Sequence, residues 1–192
     1  MNVGKGNKVP MAGLRSMLEG LGYSDISTLL NSGNAVFAST ARDSHGHATR
    51  IADAIEDRFG VVTPVIVKSA ADFDAIVAGN PIIPPASEHS RFLVAFAMDT
   101  AGIRDLNALQ TLAGPGEKLV VTKNAAYLHC PGGLLGSKVG KALLGKAGRR
   151  VTTRNWATVL KLSSLLGEST GQPCPPAKVP AAAKKIPSRS AT

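Results

Sequence analysis

Two ferredoxin-like α+β halves are what this sequence predicts, the second complete and the first lacking its N-terminal strand. Three observations carry that reading. Apolar runs of strand length alternate with helical repeats in nearly the same order twice over. A stretch with three prolines, "GNPIIPPASEHS", separates the two series. The chain has 192 residues and is 44% apolar, enough to bury a core in one sizeable domain or two small ones. The implied organisation is a first half over residues 1–79, a Pro-rich linker over 80–90, a second half with an extra helix over 91–168, and a tail over 169–192.

After the Gly/Asn-rich start "NVGKGNK", Pro10 suits the first turn of a helix. Met11, Leu14, Leu18 and Leu21 repeat at helical spacing, and Gly22 can end the helix. "DISTLL" and "AVFAS" flank the turn "NSGN" as a hairpin. Ile51, Ile55 and Phe59 predict a helix over 48–59. "VVTPVIV" predicts the next strand, and Pro64 restricts it to a sheet edge or a bulge, because proline donates no ladder hydrogen bond. Residues 70–79 read as a short helix. In the second half, "RFLVAFAM" is a strand, 102–113 a helix, "KLVVTK" and "AAYLHC" a hairpin, 136–147 a helix, 149–152 a short strand and 154–167 the final helix. The first strand of such a unit is interior, so its absence from the first half leaves a hole in the sheet. The expectation is an apolar strand upstream of Met1. The tail, "GQPCPPAKVPAAAKKIPSRSAT", has little to bury and is expected to be disordered.

Net charge is +9, and its distribution is uneven. From Lys118 through Gly167 there is no Asp or Glu, while Lys118, Lys123, Lys138, Lys141, Lys146, Arg149, Arg150, Arg154 and Lys161 all fall there. Such a segment attracts anions, or it is a solubilising basic face. No apolar run reaches membrane-span length, the start lacks a secretory signal, and the two cysteines do not make a disulfide framework. Those features point to the cytoplasm and to no membrane partner.

Known catalytic patterns are missing. The loop "PGGLLGSK" does not have the phosphate-loop spacing, no serine sits in a nucleophile elbow, and no carboxylates are suitably paired. His45 and His47 have no third ligand nearby, so no metal or other cofactor is expected. His129 and Cys130, adjacent in a strand, point to opposite faces. Three polar loops remain: Asn2 to Lys8, the turn at Ser32, Gly33 and Asn34, and "PGGLLGSK" leading into a helix near Ser137. Thr152 or Thr153 is suited to cap the last helix, which puts Arg154 at the positive end of the helix dipole. If Lys138 joins it from a neighbouring helix start, the two cations form a phosphate- or carboxylate-sized pocket. Trp156 belongs to the apolar stripe of that last helix.

"NVGKGNKVPMAGLRSMLEGLGY", "LNSGNAVF", "YLHCPGGLLGSK" and "TTRNWATVLKL" together resemble the bacterial family known as domain of unknown function 1697. The resemblance runs from Asn2 to about Leu166 and implies two ferredoxin-like halves. It also implies a shared site at Asn2, Gly4, Asn7, Lys8, Ser32, Gly33, Asn34, Ser137, Lys138, Thr153, Arg154, Asn155 and Trp156, but no activity. Members resembling it open with a strand followed by "LRGINVGG", and this chain departs from the family's first loop at Lys5 and Gly6.

Three functional readings follow. The leading one is an anion-binding module for a nucleic-acid backbone or a phosphorylated ligand. The second is a small-molecule site, catalytic or not, where the three loops meet, lined by Asn7, Lys8, Ser32, Asn34, Lys138 and Arg154. The third is a structural or oligomeric domain whose polar loops tie the halves together.

Overall fold

The computed structural model describes residues 9–30, 33–145 and 150–170, and within them the chain is a mixed α+β protein with two sheets and six α-helices. The first half comprises helix α1 (Met11–Gly20), strands β1 (Ser24–Leu29) and β2 (Asn34–Ala38), α2 (Ser44–Phe59) and α3 (Ala70–Ala78). The second comprises β3 (Phe92–Ala97), α4 (Thr100–Asn107), β4 (Lys118–Val121), β5 (Ala126–His129), α5 (Lys138–Leu144), β6 (Val151–Asn155) and α6 (Trp156–Thr170). The first loop and the tail after Thr170, for which disorder was expected, lie outside the described residues.

Local chemistry sets several boundaries. Asp43 accepts the amide of His45 and so starts α2 four residues before the periodicity predicts. Gly60, at φ 64°, ends it in the left-handed conformation that glycine adopts without strain. The helix expected over 102–113 divides instead into α4 and a 3-10 turn at Ala108–Leu112. Asp99 opens α4 by accepting the Gly102 amide at 2.8 Å.

Every residue of β3 is buried, and β3 is the centre of a four-stranded antiparallel sheet ordered β4-β5-β3-β6. It pairs with β5 from Phe92 opposite His129 to Ala95 opposite Ala126, and with β6 from Leu93 opposite Asn155 to Ala97 opposite Val151. Leu93, Ala95 and Ala97 face one core with Leu106, Leu128, Val139 and Leu143, so α4 and α5 cover that face. Phe92, Val94 and Phe96 face the other with Phe73, Ile76, Val159 and Leu162, so α3 and α6 cover the opposite face. Val36 of β2 joins this second core. A third core lies under α1 and α2, around Leu14, Leu18, Ile51 and Ile55.

The first half departs from the expected sheet. Among the described residues its sheet holds only the antiparallel pair β1–β2. Residues 61–67, expected as a strand, have no strand structure, and no hydrogen bond joins them to another described residue. Their side chains nonetheless alternate as a strand's do: Val65 and Val67 pack on the core under α1 and α2, and Ile66 packs on the core shared with the second half. β2 alternates between the same two cores, with Ala35 and Phe37 on one and Val36 on the other. The two segments thus share a layer without touching as a ladder. A strand is defined by its partner, and among the described residues this one has none.

Tyr127, fully buried on β5, donates its hydroxyl to the Ile76 carbonyl at 2.6 Å and fastens α3 to the second sheet. Burial pushes its phenol up from 10.0 to about 12. Replacing it with Phe leaves that carbonyl unpaired, and denaturant unfolding at neutral pH should show a loss of about 1–2 kcal/mol. The raised value means that the folded state holds the phenolic proton more tightly. The wild-type advantage over Tyr127→Phe is therefore full below pH 10 and shrinks as pH rises toward about 12.

Candidate functional site

Arg154 is not at a helix start. It belongs to β6, opposite Val94, and its side chain lies on the α3/α6 side of the sheet. The cap of α6 is Asn155, whose Oδ1 accepts the Thr158 amide at 2.9 Å and the Thr158 hydroxyl at 2.7 Å. Neither Thr152 nor Thr153 fills that role. Arg154 instead donates through Nε to Oδ1 of Asn34, and through Nη1 to Oγ1 of Thr152 at 2.7 Å and the carbonyl of Thr153 at 2.8 Å. Desolvation lowers the guanidinium's pKa from its ordinary value, and these oxygens give its buried donors partners.

Asn34 is 7% exposed and opens β2. Its Nδ2 donates to the Leu29 carbonyl at 3.2 Å across the hairpin, while its Oδ1 receives Arg154 from a residue 120 positions away. One amide side chain thus closes a turn in the first half and pairs with a cation of the second. Gly33, at φ 70°, supplies the left-handed turn beside it.

Lys138 lies elsewhere. α5 covers the face of the sheet opposite Arg154, so the expected convergence of two helix starts does not occur. Lys138 is exposed, whereas Ser137 is 2% exposed and accepts the Gly140 amide at 3.0 Å. Gly140 packs so tightly on the preceding loop that a Cβ there would collide with the Leu134 carbonyl oxygen. The glycine-rich loop "PGGLLGSK" is thus a packing joint under α5. Trp156 is core, its ring edge-on to Phe92 at 5.7 Å between centroids. Asn2, Asn7, Lys8 and Ser32 lie outside the described residues.

Asn34 and Arg154 also border a cleft of about 740 Å³ between β2 and residues 64–68. Its walls are apolar: Leu18, Ile51 and Ile55 on one side, Phe73, Phe96 and Leu162 on the other. The cations along it are Arg42, Lys68 and Arg154, and no carboxylate lines it among the described residues. Sequence reasoning missed Arg42 and Lys68, which follow β2 and 61–67 and carry no motif. The available signal was Pro64 in an otherwise apolar run. His47 is on α2 and pairs through Nδ1 with the Tyr23 hydroxyl at 2.8 Å. Among the described residues no three His, Cys, Asp or Glu side chains gather where a metal ion fits, and no helix is long and apolar enough to cross a membrane.

The model of a family described as "Protein of unknown function (DUF1697)" matches residues 1–127. The chain belongs to that family. The DUF1697 match spans the first half, the linker and the second sheet through Tyr127. The fold is also similar to that of a solved structure, the conserved bacterial protein SP0830 from Streptococcus pneumoniae. That likeness has a TM-score of 0.68 at 25% sequence identity, over 86% of this chain and 93% of the other. No curated protein matches the chain.

The Asn34–Arg154 bond predicts a measurable coupling. In a double-mutant cycle of Asn34→Ala and Arg154→Ala, read by denaturant unfolding, the coupling energy should be about 1–3 kcal/mol, as befits a charge-assisted hydrogen bond set back from solvent. A value near zero means that the two side chains act independently.

Proposed function

We infer that the chain works as a binding module and that its site is the cleft between β2 and residues 64–68. The ligand class is elongated and largely apolar, with one anionic group. One observation carries this reading: the cleft joins apolar walls to Arg42, Lys68 and Arg154 without a carboxylate among its described lining. Its volume falls within the range of small-ligand sites, and a few placed polar groups among apolar walls are what such sites use for orientation. The anion-binding character expected from the charge balance is thereby moved from the exposed lysines to the cleft.

A nucleic-acid backbone is a poorer fit. Lys138 and Lys141 stand on α5 and Lys161 on α6, on opposite faces of the sheet, so these cations do not form one track. Single-strand binding by a sheet uses exposed aromatic rings. The chain's five Phe, two Tyr and one Trp are all buried or half-buried.

An anilinonaphthalene sulfonate, which combines apolar rings with an anion, tests the reading. It should bind saturably at one site and be displaced by decanoate but not by decanol. The double variant Arg42→Ala/Lys68→Ala should weaken decanoate binding by about tenfold, from two partly screened charge contacts. Equal displacement by the neutral alcohol, or no saturable site, overturns it.

A further inference from the structure

β1 is an edge strand set in a trench. Among the described residues it pairs with β2 alone, so one of its backbone edges is open. α1 packs against one of its faces, where Ile26 joins the core under α1 and α2. α6 lies against the other, where Ser27 stands opposite Val36 of the core under α3 and α6. Beside Ser24–Ser27 the two helices flank a trench of about 730 Å³, with Arg15 and Glu19 on one wall and Leu165 and Glu168 on the other. The second half shows that this edge is a border: β4, the counterpart of β1, is the outermost strand of its sheet. The strand expected upstream of Met1 corresponds to β3 and belongs on the far side of β2. The edge of β1 is therefore a border with or without it.

The charge of the trench is opposite to that of the chain. Glu19, Asp25 and Glu168 face one cation, Arg15, which is bound to Glu19 at 3.1 Å, while the whole chain carries +9. Neither Asp25 nor Glu168 has an ion-pair partner among the described residues. α6 ends at Thr170, just past Glu168, and residues 171–192 continue from there. They hold Lys178, Lys184, Lys185 and Arg189 and no carboxylate side chain. Pro173, Pro175, Pro176, Pro180 and Pro187 punctuate them, and proline is a poor ladder member. Between Pro180 and Pro187 lies a proline-free run, AAAKKI, of the same six-residue length as β1. We propose that this run, residues 181–186, lies along the open edge of β1 and is held there by its lysines. Successive residues of an extended segment point to opposite faces, so Lys184 and Lys185 diverge, one toward Glu19 on α1 and the other toward Glu168 on α6. The chain from Thr170 to Ala181 reaches up to about 36 Å when extended, enough to turn back from the end of α6. A tethered segment meets its site at a millimolar effective concentration, so ion pairs that are weak singly suffice. Covering the edge keeps it from pairing with another chain.

The test uses the full chain with a nitroxide at position 188, attached through Ser188→Cys in a Cys174→Ser background. Cys130 is buried, out of the reagent's reach. At low salt the amide signals of Glu19 and Ser24–Ser27 should broaden. At about 1 M salt, where the screening length is about 3 Å, the broadening should vanish. Lys184→Glu/Lys185→Glu should abolish it, and adding Glu19→Lys/Glu168→Lys to that variant should restore it, because the exchanged charges attract again. Glu19 and Glu168 are exposed, so the exchange leaves the fold intact. No broadening at low salt, broadening that survives the lysine reversal, or a double exchange that fails to rescue it overturns the proposal. So does broadening of an isotope-labelled chain without the nitroxide when it is mixed with a nitroxide-bearing chain without the isotope, since the segment would then be reaching a second copy.

Discussion

An interior strand does two things at once: its backbone hydrogen bonds join two neighbours, and its alternating side chains serve two cores. β3 does both for the second half. It binds β5 and β6, and it divides its residues between the core under α4 and α5 and the core under α3 and α6. The whole architecture rests on that double duty, because Phe92, Val94 and Phe96 provide the surface on which the first half packs. In the first half, β2 and 61–67 have the side-chain alternation of sheet members, but among the described residues no strand joins them. Among the described residues, burial alone holds 61–67 in line, because none of them hydrogen-bonds to its backbone.

Polar residues act as fasteners between the halves. Asn34 closes its own hairpin and receives Arg154 from β6. Tyr127 reaches from β5 to the last turn of α3. In the linker, Glu88 accepts from His129 at 2.6 Å, and the His89 carbonyl accepts the Trp156 amide at 3.1 Å. Apart from the hairpin bond of Asn34, each bond spans many residues in sequence, and each is set back from solvent, where an unpaired partner is costly. Arg154 has two places at once: it fastens β2 to β6, and it stands at the end of an apolar cleft.

Much of this was legible from the residues. Helical periodicity located α1, α3 and α5 to within two residues at each start, and the hairpin "LNSGNAVF" has its turn where glycine and asparagine required it. What misled was local grammar read without its partners. Threonines before Arg154 look like a cap, but pairing with β3 keeps 151–155 extended and passes the cap to Asn155. "VVTPVIV" has strand composition and strand alternation, yet strand structure needs a neighbour, which no local pattern reveals. The geometry of the candidate residues was half legible. Asn34 and Arg154 were singled out and do meet, but Lys138 was joined to them by chain order and glycine content alone, and the sheet stands between.

Hydrogen exchange of the unliganded chain tests the open layer most directly, by comparing the amides of 61–67 with those of β6 (Val151–Asn155) under native conditions. The account predicts slow exchange in β6 and exchange near the unprotected rate at Val62, Thr63 and Val65–Val67, although several of these side chains are half-buried. Protection of 61–67 equal to that of β6 would mean that its backbone already has partners, and the layer would be closed.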